Sequence, residues 1–197
     1  MSNYKTMVVS YVYKRLAQWN GTTNEHAVRS DLANLRRGIG KKPGELPQLW
    51  GLLFRDLPEE LMSKNGEPSR AEWAISGALT LYALHQQGAE RNAYVNGQSL
   101  GTAVGKLAIG NDERLKAVQR RFNAFATARD MPECMHHLRG LIQLLRSENI
   151  PLDYAQLAGE LYEFQLPEGA ARVRLRWGQD FYRTVSRIEE GKDQNNE

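Results

Sequence analysis

Between Arg114 and Arg146 the sequence sets Arg114, Lys116, Arg120, Arg121, Arg129, Arg139 and Arg146 against only Asp130 and Glu133. A surface with that excess of guanidinium groups suits anions, phosphate above all. Acids three or four residues away would neutralise such a face, as Glu25 can neutralise Arg29, but Arg120, Arg121 and Arg139 have none. Cys134, His136 and His137 form the one cluster of metal-ligand types. Consecutive helical residues diverge by about 100°, so only Cys134 and His137 share a face. With no second ligand pair nearby, a zinc site is not expected. No serine or cysteine adjoins a base, and no acidic cluster with a lysine marks a two-metal nuclease. The chain therefore reads as a non-enzyme without metal or cofactor.

Two amphipathic helices must hold this face. Leu115, Val118, Phe122, Phe125 and Ala126 recur at helical spacing, as do Leu138, Leu141, Ile142 and Leu145, and Met131-Pro132 is expected to separate the two runs. Upstream, Met7, Val8, Tyr11, Val12, Leu16 and Trp19 line one side of a helix that Asn20-Gly21 ends. Thr23 or Asn24 caps the next, which runs through Val28, Leu32 and Leu35 to Gly38. Its last residues, Arg36 and Arg37, suit either the negative helix end or a phosphate, and both readings stand.

Gly38 to Pro47 has loop composition, and QLWGLLF after it is expected to dock Trp50, Leu53 and Phe54 into the core. Ser69 and Glu72 have capping-box spacing. The uncharged run Trp73 to Ala89 is too short and too interrupted for a membrane span and reads as a buried central helix, with His85 as a hydrogen-bonded core residue in preference to a ligand. Gly97, Gly101 and Gly105 lie four apart, a stripe for close approach of a helix or of a phosphate at Ser99. Asn111 and Asp153 are further caps. Tyr154, Leu157, Ala158, Leu161 and Phe164 form one apolar face, and after Pro167 a last helix carries Val173, Trp177 and Phe181 on one side.

No strand alternation interrupts this pattern. The fold expected is all-α, a compact bundle of about eight to ten helices in one domain or two packed halves. The 41% hydrophobic and 25% charged content is that of a soluble globular protein, and a single cysteine suits the reducing cytoplasm. Of 26 basic and 23 acidic residues, 25 and 19 precede residue 189. Residues 1–188 thus form a basic domain, and 189–197 an acidic tail expected to be disordered.

Taken in order, LRRGIG (Leu35 to Gly40), LHQ (Leu84 to Gln86), GQSLGTA (Gly97 to Ala103), RRF (Arg120 to Phe122), LRGLIQLLR followed by IPLDYAQLAGELYEFQ, and VRLRWGQDFYR closely resemble the CasB family, the small subunit of the type I-E CRISPR complex Cascade. The resemblance runs from about Arg29 to Arg183. It implies a non-catalytic, cytoplasmic antiviral protein, present as two copies in a crRNA-guided complex. Its implied partners are a second copy, the crRNA-bearing backbone subunits, the large subunit, crRNA, and target and displaced DNA, with no membrane. Such subunits bind nucleic acid without sequence preference and stabilise the R-loop. By position, the resemblance gives Arg36, Arg37, Arg70, Arg120, Arg121, Arg129 and Arg139 to nucleic-acid binding, with Arg172, Arg174 and Arg176 from the last helix. Two other classes stay open: a free-standing helical DNA- or RNA-binding protein, and a scaffold whose arginines meet only protein acids.

Overall fold

A computed structural model describes residues 2–193. Among them it contains α1 (Ser2–Gly21), α2 (Glu25–Arg37), α3 (Trp50–Leu53), α4 (Arg70–His85), α5 (Leu100–Leu107), α6 (Asp112–Ala126), α7 (Met131–Ser147), α8 (Tyr154–Phe164) and α9 (Gly169–Asp193), with two short 3-10 turns and no strand. The architecture is an all-α bundle. Tyr94 and Leu152 form an isolated backbone bridge.

Helix α4 is the axis. Every residue from Ala74 to His85 is buried, and α1, α2, α7 and α8 all pack on it. An element enclosed on all sides can carry no unpaired charge, which explains the uncharged run. Its polar groups are satisfied internally: Thr80 Oγ1 donates to the Ser76 carbonyl at 2.7 Å, and His85 Nδ1 lies 2.8 Å from the Tyr154 hydroxyl. Burial pushes His85 down to about 4, so the ring is neutral at physiological pH. No helix among the described residues is long and apolar enough to cross a membrane.

Local signals place the helix starts. Asn24, Asn111, Asp130 and Asp153 each accept a first-turn N–H, and Ser69 with Glu72 forms the reciprocal box. Four expectations change. Met131 and Pro132 open α7 instead of lying between helices, because proline at a first turn gives up an N–H that has no helical partner anyway. Gly97 is a turn residue at φ +81°, leaving Gly101 and Gly105 as the helical pair. Trp50 is 52% exposed, since its indole N–H is tied to the Gly44 carbonyl at 2.9 Å and holds the loop instead of the core. Finally, α9 continues beyond Ile188 to Asp193; the rest of the expected tail, 194–197, lies outside the described residues.

Candidate nucleic-acid interface

Helices α6 and α7 are joined by a tight turn in which the Asp130 carboxylate accepts from Glu133 N, and Glu133 in turn accepts from Arg129 N, both at 2.8 Å. Their apolar sides face inward. Phe122 and Phe125 of α6 meet Phe181 and Trp177 of α9, with ring centroids 5.5 and 4.6 Å apart, while Leu138, Leu141, Ile142 and Leu145 of α7 are fully buried. Cys134 is buried among them, and burial pushes its thiol up to about 12.

With the apolar sides committed, the arginines face outward. Arg120 and Arg121 stand over a groove of about 520 Å³ between α6 and α7, with His136 and His137 opposite and Ala117, Ala124, Gly140 and Leu141 lining it. No acid lines the groove. Arg120, Arg121 and Arg139 are exposed, and their side chains have no hydrogen bond or ion pair among the described residues. The one carboxylate that reaches a lining residue is Glu133, whose Oε1 stands 3.9 Å from His137 Nε2. Guanidinium groups without intramolecular partners keep their donors for an external anion. Arg114, by contrast, is spent on the Leu107 carbonyl and on Glu148.

The other expected residues are distributed. Arg129, in the α6–α7 turn, is exposed and its side chain has no ion pair among the described residues. Arg37 is exposed at the end of α2. Arg36 is half-buried and donates to the Ala83 carbonyl at 3.3 Å, beside a separate cavity walled by Trp19 and Tyr82. Arg70 opens α4 next to Tyr4 and Tyr162, in yet another cavity. The structure therefore joins Arg120 and Arg121 in one groove, keeps Arg129 and Arg139 on the same hairpin, and places Arg36, Arg37 and Arg70 on other elements.

Arg172, Arg174 and Arg176 have work inside the fold. Glu163 of α8 receives Arg176 Nη2 at 2.6 Å, Lys5 Nζ at 2.6 Å and Arg172 Nε at 3.3 Å. Burial alone would raise this carboxyl, but the hydrogen bonds from Arg176 and Lys5 outweigh it and bring the group down to about 2. Arg174 donates to the Ala126 and Ala128 carbonyls at the end of α6 and lies over the Phe164 ring, its guanidinium carbon 5.4 Å from the centroid. The partner acid stands nine and thirteen residues before Arg172 and Arg176, beyond the reach of any helix-spacing rule. The groove residues that sequence reading did not assign are His136, His137 and Gly140. The signal for them was present in small residues on both helices of an arginine-bearing pair.

Fold and face together define an all-helical protein with a groove under two arginines whose side chains are unpartnered among the described residues. Residues 31–182 match the model of the CRISPR-associated protein Cse2, and the chain belongs to that family. Among solved structures it is similar to CasB from Thermobifida fusca, at 36% identity and a TM-score of 0.73 over 89% of this chain and 97% of that one. It is similar to M. ruber CasB at 24% identity and a TM-score of 0.69, covering 93% and 97%. A chain of a CRISPR RNA-guided surveillance complex shares the fold at 20% identity and a TM-score of 0.67, covering 96% and 98%. No curated protein matches the chain.

Proposed function

We propose that this protein is a non-catalytic subunit of Cascade that binds nucleic acid without sequence preference and stabilises the R-loop in the cytoplasm during antiviral defence. The observation that carries this is the outward pair Arg120 and Arg121, unpartnered among the described residues and set over an acid-free groove in a chain of the Cse2 family. Phosphate contact by arginine holds any sequence equally, which is what a strand-stabilising subunit requires. R-loop formation exchanges one duplex for another of similar stability, so a few backbone contacts decide whether the open state lasts. Arg129 and Arg139 extend the same hairpin, and Arg37 and Arg70 add exposed cations elsewhere. Assembly with a second copy, the backbone and large subunits is supported by Leu175 and Tyr182 of α9, 62% and 60% exposed, at i and i+7 on one side of the helix.

The test is R-loop lifetime on target DNA in the reconstituted complex carrying Arg120→Glu with Arg121→Glu. Both side chains are exposed, so helix content should match the unmodified chain while the R-loop dissociates at least tenfold faster. An unchanged lifetime in a folded, assembled double variant would reject the assignment.

A further inference from the structure

Between α6 and α7 the groove under Arg120 and Arg121 leaves about 520 Å³ open, lined in part by Ala117, Ala124 and Gly140. Small residues and open space give little packing to set the helix spacing at that level. The outward arginines of the hairpin, Arg120, Arg121, Arg129 and Arg139, repel one another and work against it.

Two other arginines grip the hairpin at its ends. At the open end, Arg114 Nε donates at 2.7 Å to the carbonyl of Leu107, the last residue of α5, and its Nη2 stands 2.9 Å from Oε1 of Glu148, which caps α7. One side chain thus joins the start of α6 to the ends of α5 and α7. At the closed end, Arg174 of α9 donates through Nε to the carbonyl of Ala126, the last residue of α6, and through Nη2 to that of Ala128 in the turn, at 3.5 Å. Arg172 and Arg176, on either side of it in sequence, are tied to Glu163, so the base from which Arg174 reaches is itself anchored. Both grips set a cation on carbonyls at a helix end, where free acceptors and the negative end of the dipole favour it. Arg120 stands six residues from Arg114 and six from Ala126, about 9 Å along the helix from either grip.

We infer that Arg114 and Arg174 are positioning residues: they touch no nucleic acid, and they hold the two ends of the hairpin so that Arg120 and Arg121 present their guanidinium groups at a fixed spacing. The inference rests on the nucleic-acid reading above and adds to it two residues that act through others. For Arg174 it replaces phosphate contact, the role implied by the family resemblance, with an internal one.

The experiment measures affinity of the purified full chain for a labelled single-stranded oligothymidylate across a salt series, by fluorescence anisotropy, with thermal melts alongside. Arg114→Ala and Arg174→Ala should each weaken binding about fivefold at fixed salt in a chain that circular dichroism shows to be still helical. The slope of log affinity against log salt should stay within about 0.3 of its original value, because no phosphate contact is lost. Arg174→Lys keeps the charge and loses the fork that spans two carbonyls, so it should bind as weakly as Arg174→Ala. A slope lowered by about 0.7, with affinity restored by lysine, would make Arg174 a phosphate contact and overturn the assignment. A lowered melting temperature with unchanged affinity would overturn it too, leaving both arginines a purely structural role. Arg120→Ala with Arg121→Ala tells the two levels apart: if that pair weakens binding and the grip variants do not, only the positioning role fails, and if the pair has no effect, the nucleic-acid reading fails and the positioning role with it.

Discussion

Two carboxylates one turn apart on α8 show how far residue chemistry depends on surroundings. Glu160 is buried, accepts from Trp177 Nε1 at 2.6 Å and Gln156 Nε2 at 2.9 Å, and burial raises its pKa despite both hydrogen bonds. Glu163 faces three cations and falls to about 2. Their pH signatures are opposite. A lowered Glu163 contributes stability above the ordinary value of 4.5, and that contribution is lost as pH falls from 4.5 to about 2. Glu163→Gln should therefore destabilise the chain at pH 7 by about 2 kcal/mol, a figure reduced because Lys5 and Arg176 are each more than a third exposed, and should flatten the acid limb of a urea-melt pH series. Glu160, raised by burial, contributes most at low pH and loses that contribution as pH rises through its folded value. Glu160→Gln keeps an acceptor for the indole and sheds the buried charge, so stability at pH 7 should stay within about 1 kcal/mol of the unmodified chain. Glu160→Leu orphans the Trp177 N–H and should cost about 1–3 kcal/mol in the same melts.

At the scale of elements, glycine permits one close helix contact, while another helical glycine meets nothing. α5 lies flush on α9 because Gly101 faces the Trp177 carbonyl and Asp180, and Gly105 faces Thr184. Ser99 ties the same contact by donating to Asp180 Oδ2 at 2.7 Å. Gly101→Ala should lower stability by about 1–3 kcal/mol, because a methyl group meets backbone that cannot yield. Gly140→Ala should raise it by up to about 1 kcal/mol through backbone entropy alone. Thermal melts of the two variants shifting in the same direction would contradict this contrast. Helix positions, caps and buried faces were legible in the sequence because each is decided within a few residues: an Asn or Asp before an apolar period, a capping box, a proline. What was not legible depended on tertiary distance. Trp50 stays outside because a carbonyl six residues earlier holds its indole, and Arg172 and Arg176, 50% and 39% exposed, find an acid because α8 presents Glu163. The arginines could be named one by one, but which of them are free is decided by elements far away in the chain. Arg120, Arg121 and Arg139 proved free for the reason visible in the sequence, the absence of acids at helical spacing, and no distant carboxylate among the described residues supplies what the helix lacks.

For the whole molecule, the consequence is a charge distribution that net charge conceals. A formal +3 on 197 residues would predict feeble attraction to nucleic acid. Yet charge is unevenly placed: Glu25, Glu45, Glu67, Glu148, Glu163 and Asp180 all hold basic partners within the chain, six of its 23 acids. The α6–α7 hairpin is left with Arg120, Arg121, Arg129 and Arg139 facing outward. An anionic strand responds to that local field within a Debye length of about 8–10 Å, not to the sum over the surface. Binding to a labelled single strand should then weaken steeply with salt, log affinity falling against log salt by about 0.7 for each phosphate neutralised. Replacing Arg120 and Arg121 by alanine removes two such contacts and should reduce the slope by about 1.4, whereas the equally charge-changing pair Arg29→Ala with Arg183→Ala, both already matched by Glu25 and Asp180, should leave the slope within about 0.5 of its original value. Equal loss of slope from the two pairs would mean that the chain attracts nucleic acid by its overall charge, and that the hairpin has no privileged part in binding.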